Sequence, residues 1–175
     1  DVLAETARQG KAEPAELAAQ MGRLIPIASE LGITFGDVGG AIAALSTKGF
    51  NAEQATTALV NVMGKLLKPS EQAKSLLDEV GLPTDTIRQS LADKGLLATL
   101  EELRAKLGDA GFIKFLEDQQ AVQGGLALLG GDLNATKDIF DKVNHAVGAT
   151  DNAFATWAKS MGAENAQAFA NFQVA

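Results

Sequence analysis

Glycine or proline interrupts this 175-residue sequence roughly every ten to twenty residues, and this spacing restricts the chain to short helices. Between the interruptions, apolar residues recur with the period of an α-helix. No stretch alternates with the period of two that a half-buried strand requires. The pattern predicts an all-α protein. It is clearest between Lys48 and Pro69, where one apolar stripe comprises Ala55, Ala58, Leu59, Val62, Met63, Leu66 and Leu67.

The residues between these stripes are typical helix caps. Asn51 precedes one stripe with Gln54 three residues later, which predicts a capping box, and Gly49 suits the left-handed end of the preceding helix. Thr34 and Asp37 repeat this spacing one helix earlier. Two similarly capped helices in tandem are therefore expected. Gly32 would close the helix before them, Ile33 and Val38 would form a hydrophobic staple at the first, and Pro69 would end the second.

Extended along the chain, the same signals predict a compact domain of about nine to eleven short helices with glycine- or proline-rich turns. Pro26 falls inside a periodic stretch, where we expect it to kink or split a helix near Leu24 and Ile25. The predicted helices cover residues 2–9, 14–31, 35–47, 52–67, 70–80, 84–93, 96–107, 110–117, 120–130, 133–147 and 151–172.

Three glycine pairs indicate either close helix crossings or flexible breaks: Gly39–Gly40, Gly124–Gly125 and Gly130–Gly131. Gly36 and Gly40 also have the four-residue spacing that lets helices pack closely. The last pair is the best candidate for a boundary. It would separate a main body, 1–131, from a C-terminal helical pair, 132–175, that packs on this body or continues into a longer chain.

Composition excludes several classes of protein. The chain has no cysteine, so disulfides and cysteine metal sites are excluded. A net charge of −7 disfavours direct binding to nucleic acid, and no segment is apolar for long enough to predict a transmembrane helix. Since the sequence starts without methionine or a signal segment, we expect it to be part of a longer polypeptide.

The chemistry-bearing residues favour structural roles. His145 is the only histidine and ends a predicted helix, where a cation is favourable, so no metal or cofactor site is predicted. The glycine pairs lack the lysine and the preceding strand of a phosphate-binding loop. Carboxylates are frequent, but on helix 96–107 they lie opposite a leucine face and are expected to be solvated. We predict no enzymatic activity and no catalytic residue among the acidic candidates Glu101, Glu102, Glu117 and Asp118.

Aromatic residues form two groups. Phe112, Phe115 and Leu116 are spaced as core positions. The second group lies near the C-terminus. Core positions or helix–helix contacts account for it as well, and if the parent protein assembles, it is the first candidate for a surface that contacts a partner. It comprises Phe154, Trp157, Ala158, Met161, Phe169 and Phe172.

From Leu17 to about Gly131 the sequence resembles the core region of phage tail tape measure proteins. The resemblance depends on the order of a small-residue helix, a glycine cap, a Thr-Ala-Leu helix, a Pro-Ser turn and an Ala/Leu helix that ends at glycine. The matching positions are Leu31, Gly32, Gly49, Ala55, Thr57, Ala58, Leu59, Leu66, Pro69, Ser70, Ala73, Leu77 and Gly81.

This resemblance implies a non-enzymatic structural protein of a phage or prophage, made in the bacterial cytoplasm. Tape measure proteins lie in the lumen of the tail tube, set its length, contact tube and assembly proteins, and leave ahead of the DNA during infection. Two other interpretations stay open: a membrane-active helical module, which the acidic charge disfavours, and a cell-wall hydrolase, which the lone histidine disfavours.

The interrupted helices conflict with a straight ruler. A single helix of this length would span roughly 260 Å. We instead expect a compact domain, with a radius of gyration near 16 Å. We therefore hypothesise either a compact hub near one end of the ruler or a metastable domain that opens when it is threaded into the tube.

Overall fold

The computed structural model describes residues 1–10 and 14–146, which form an all-helical domain. No strand occurs in these residues, so the predicted all-α class is confirmed. The eight helices are α1 (Val2–Gly10), α2 (Pro14–Leu31), α3 (Phe35–Thr47), α4 (Ala52–Leu67), α5 (Glu71–Glu79), α6 (Thr84–Leu116), α7 (Gln119–Leu129) and α8 (Leu133–Asn144).

Both predicted caps are present. The Thr34 side chain accepts a hydrogen bond from the backbone N–H of Asp37 at 3.0 Å. Asn51 and Gln54 form a reciprocal capping box, with bonds of 3.0 and 2.8 Å. Gly49 has a φ of 94°, the left-handed conformation that ends α3 before the capping box begins α4. Local sequence therefore determines where these two helices begin.

Two glycines interrupt α6. Gly95 (φ 82°, ψ 178°) and Gly108 (φ 68°, ψ 171°) have non-helical backbone conformations. A residue with a Cβ is strained at such positive φ values, so glycine is favoured at both breaks. The three helices predicted over 84–93, 96–107 and 110–117 correspond to the three segments of α6.

Pro26 does not divide α2. The helix runs through it over the predicted span 14–31, so of the two alternatives, a kink or a split, the split is not found, and the bend near Leu24 and Ile25 stays a prediction. Pro26 has no N–H to bond the carbonyl of Gly22. Both residues are exposed, so water can satisfy that carbonyl.

Helices α3 and α4 form the centre of the domain. α4 packs against α2 and α7, and α3 packs against α1 and α8, while α5 lies against α6 and α6 against α7. Large apolar side chains fill the space between these helices. The largest of those with less than 2% exposure are Phe112, Phe115, Leu24, Ile42, Leu45, Leu59, Met63, Leu66, Leu77 and Leu91.

Two of the glycine pairs lie at close helix crossings. A Cβ on Gly40 would stand 2.9 Å from Cγ of Phe140 in α8, and one on Gly124 would stand 2.8 Å from Cβ of Ala58 in α4. At Gly36 a Cβ would overlap the side chain of Asn144. These crossings bring backbones together at distances that no larger residue allows.

The third pair is a break between α7 and α8. Gly130 ends α7 in an extended conformation and Gly131 has a φ of 69°. Beyond the break, α8 packs on α3, α1 and α7. A domain boundary after 131 stays a prediction, and the helix predicted over 151–172 lies outside the described residues.

Candidate functional site

Glu102 connects two segments of α6 rather than facing a second catalytic group. Its carboxylate accepts hydrogen bonds from Lys94 Nζ at 2.9 Å and Ser90 Oγ at 3.0 Å, both on the far side of the Gly95 break. These two bonds, the one from Lys94 first, lower the pKa of Glu102. Neighbouring Glu101 forms an ion pair of 2.9 Å with Lys137 of α8.

Glu117, at the end of α6, has a similar role towards α4 and the start of α5. It has a φ of 55°, unusual for a residue with a side chain. Its carboxylate accepts hydrogen bonds from Lys65 Nζ at 2.8 Å and from the Ser70 hydroxyl, and these contacts, Lys65 first, lower its pKa. Asp118 caps α7 by accepting from the N–H groups of Gln120 and Ala121 at 2.9 and 3.1 Å. The four acidic candidates therefore hold helices in place.

The domain is expected to lose stability as the pH falls from about 5 towards 3. Because the folded-state pKa values of Glu102 and Glu117 lie below the ordinary 4.5, their contribution is complete above 4.5 and is lost as the pH falls through the folded-state values. Urea midpoints measured across this range should fall less steeply in the Glu102→Gln/Glu117→Gln variant. Glu79 of α5 is exposed, so the Glu79→Gln control should show the same fall of the urea midpoint with pH as the wild-type domain. If the double variant also showed the wild-type fall, this account would be contradicted.

His145 stands at the C-cap of α8, as its predicted helix-end position implies. It is exposed, and its Nδ1 lies 2.7 Å from the carbonyl oxygen of Asp141 one turn earlier. Within residues 1–10 and 14–146, no group of three or more histidine, aspartate or glutamate side chains could hold a metal ion. The same residues contain no helix that is long and apolar enough to cross a membrane.

Lys48 is an interhelical contact that sequence reasoning missed. Its Nζ donates to the carbonyl oxygens of Ala127 and Gly130 at the end of α7, the latter at 2.8 Å, and to Thr136 Oγ1 of α8 at 3.1 Å. Burial lowers the pKa of Lys48, although the charge of Asp132 acts in the opposite direction. Nothing in the sequence around a lysine that follows a helix indicates that it will donate hydrogen bonds to carbonyl oxygens some eighty residues later in the chain.

A cleft of about 470 Å³ lies between the α3–α4 turn and α7. Its polar side chains can donate and accept hydrogen bonds, but it contains no nucleophile paired with a base. Lys48, its cation, is already bound to carbonyls, and Gln54 belongs to the capping box. The lining of the cleft comprises Lys48, Gly49, Phe50, Glu53, Gln54, Thr57, Ala58, Gln120 and Gln123.

Large apolar side chains are exposed at three positions among the described residues, on three different helices. These are Ile25 at 49%, Phe35 at 44% and Ile113 at 41% exposure. Single exposed apolar residues are normal on a protein surface and do not define an interface. The aromatic group from Phe154 to Phe172, the first candidate for a partner surface, lies outside the described residues.

Comparison with known proteins agrees with the resemblance found in the sequence. Residues 1–130 match the family of phage-related minor tail proteins. The chain is also similar to the tape measure protein of Pneumococcus phage Dp-1, with 25% identity over 165 residues that cover 92% of this chain and 14% of that protein. No solved structure matches the chain significantly.

These matches support a structural role in the virion tail and association with other tail proteins. The chain belongs to the family of phage-related minor tail proteins.

Proposed function

We propose that this domain is a folded segment of a tail tape measure protein, that it acts in tail assembly, and that it has no catalytic role. The observation that carries the proposal is the alignment of 92% of the chain with a tape measure protein. The architecture supports it, because acidic residues of the kind that carry hydrolytic chemistry are used here as caps and interhelical ion pairs.

Within the tail, we place the domain in the lumen of the tube, in contact with tube and assembly proteins. It would leave the lumen ahead of the DNA when the phage infects a cell. The net charge of −7 supports contact with proteins in preference to DNA, because a DNA-binding surface needs clustered cations.

Of the two forms considered, we favour the compact hub. The other form, a domain that opens when it is threaded into the tube, would need apolar faces that continue along the extended chain from one helix to the next. Here the apolar faces of α3 and α4 are covered by other helices of the same chain. The folded domain would therefore add to the tail only about its own diameter, roughly 40 Å for a radius of gyration near 16 Å.

Deleting these 175 codons in frame from the parent phage gene tests the proposal. We expect fewer tails, and those that assemble should be shorter by no more than about 40 Å when measured by electron microscopy. In-frame duplication of the segment is the matched control and should lengthen tails by no more than the same amount.

Two outcomes would contradict this proposal. If deletion shortened the tails by about 260 Å and duplication lengthened them by the same amount, the segment would contribute to tail length as an extended helix instead of a compact hub. Tails of normal number and length after the deletion would mean that the segment has no role in assembly.

A further inference from the structure

Both ends of the described chain lie on the same helix. α1 and α8 each pack against α3, and they also contact one another. They meet over Gly39: a Cβ there would stand 2.4 Å from Thr6 Oγ1, 3.0 Å from Cγ1 of Val2 and 3.1 Å from Cγ1 of Val143. The first turns of the chain and the last turn of α8 are therefore neighbours.

Each terminal helix also supports the other. The contacts over Gly39 join them by packing. The hydrogen bond from Arg8 is the main cause of the lowered pKa of Glu5 in α1, and the charge of Lys142 in α8 is the smallest. Removing either helix would leave the other without part of its packing.

The terminal helices have less apolar anchorage than the centre. α1 buries Thr6, Ala7 and Gly10, whereas α8 buries Thr136, Phe140 and Val143. Burial of apolar area supplies most of the free energy that holds a helix in place, so elements with little of it open first. The larger set buried by α4 comprises Ala52, Ala55, Thr56, Ala58, Leu59, Val62, Met63 and Leu66.

We propose that α1 and α8 form a terminal clamp on α3, which opens as a unit before the central helix α4 unfolds. The clamp keeps the two ends of the domain side by side. This property belongs to the folded chain and does not depend on a role in tail length.

Native-state hydrogen exchange of the 175-residue chain, in urea below its unfolding transition, tests the clamp. Backbone amides of α1 and α8 should exchange at least tenfold faster than those of α4, with a weaker dependence on urea. Equal rates and equal urea dependence in the three helices would overturn the proposal, because they would mean that the domain opens only as a whole.

Two matched variants test whether α1 and α8 open together and whether they open before α4. Val62→Ala, in α4, should accelerate exchange of α4 by about tenfold or more and leave α1 and α8 unchanged, because α4 remains folded when the clamp opens. Val143→Ala, in α8, should accelerate α1 and α8 together. If Val143→Ala accelerated amide exchange in α8 but not in α1, the two helices would open independently. If Val62→Ala accelerated exchange in α1 and α8, those helices would open only with the whole domain. Either result would overturn the clamp.

Discussion

Replacement of Phe112 by alanine is expected to lower the free energy of unfolding by about 3–5 kcal/mol. The side chain is fully buried, and its ring lies against α7, where a Cβ on Gly125 would be 3.3 Å from two ring carbons. Truncation removes apolar contact and leaves a cavity that the tightly crossed helices cannot close. For a domain whose total stability is about 5–15 kcal/mol, such a loss is severe.

The adjacent residue provides the control. Ile113 is 41% exposed, so Ile113→Ala should change the free energy of unfolding by no more than about 0.5 kcal/mol. Urea denaturation followed by circular dichroism at 222 nm measures both variants. A loss below about 1 kcal/mol for Phe112→Ala would mean that the third segment of α6 does not pack as described.

The second large effect is a reversal of sign between two Gly→Ala substitutions. In an open helix position alanine is more stable than glycine by about 0.5–1 kcal/mol. At Gly40 the new Cβ would stand 2.9–3.1 Å from Cγ, Cδ1 and the backbone Cα of Phe140. Because backbone cannot move aside as a flexible side chain can, Gly40→Ala should destabilise the domain by about 1–3 kcal/mol.

Gly64→Ala is the matched control for this prediction. Gly64 is also inside a helix, and a Cβ there would meet no atom within 4 Å, so this variant should be stabilised. Thermal unfolding of the two variants under one buffer condition compares them directly. If Gly40→Ala were as stable as Gly64→Ala, α8 could not cross α3 at the distance found here.

The sequence predicted local features well because their determinants are close in the chain. The Thr34 cap and the Asn51 capping box depend on residues three positions apart, and both are present. Gly95 and Gly108 end helical segments because of their own backbone conformations. Each of these features depends on a short stretch of the chain and needs no knowledge of the tertiary fold.

The packing partners could not be predicted in this way. Gly40 clearly favours a close crossing, but its sequence neighbours do not indicate that Phe140, one hundred residues later, lies over it. The same holds for Lys48 and the end of α7. Nor did the sequence decide between a kink and a split at Pro26, where an exposed position lets α2 continue without a buried, unpaired carbonyl.

The acidic candidates illustrate a second limit. Sequence periodicity placed Glu101 and Glu102 on the solvated side of a helix, and both are partly exposed. It did not predict that they would bond Lys137 of α8 and Ser90 across a break in α6. Such pairing depends on how helices cross, which the apolar period of one helix does not determine.

The glycine-rich face of α3 has a consequence for synthesis on the ribosome. α3 ends at Thr47, but α8, which covers its Gly36 and Gly40, is complete only at Asn144. At translation rates of about 5–20 residues per second, roughly 5–20 seconds separate the two. During that interval the nascent chain presents an apolar, small-residue helix surface without its final cover, and this is the period in which a chaperone or a second nascent chain would have access to it.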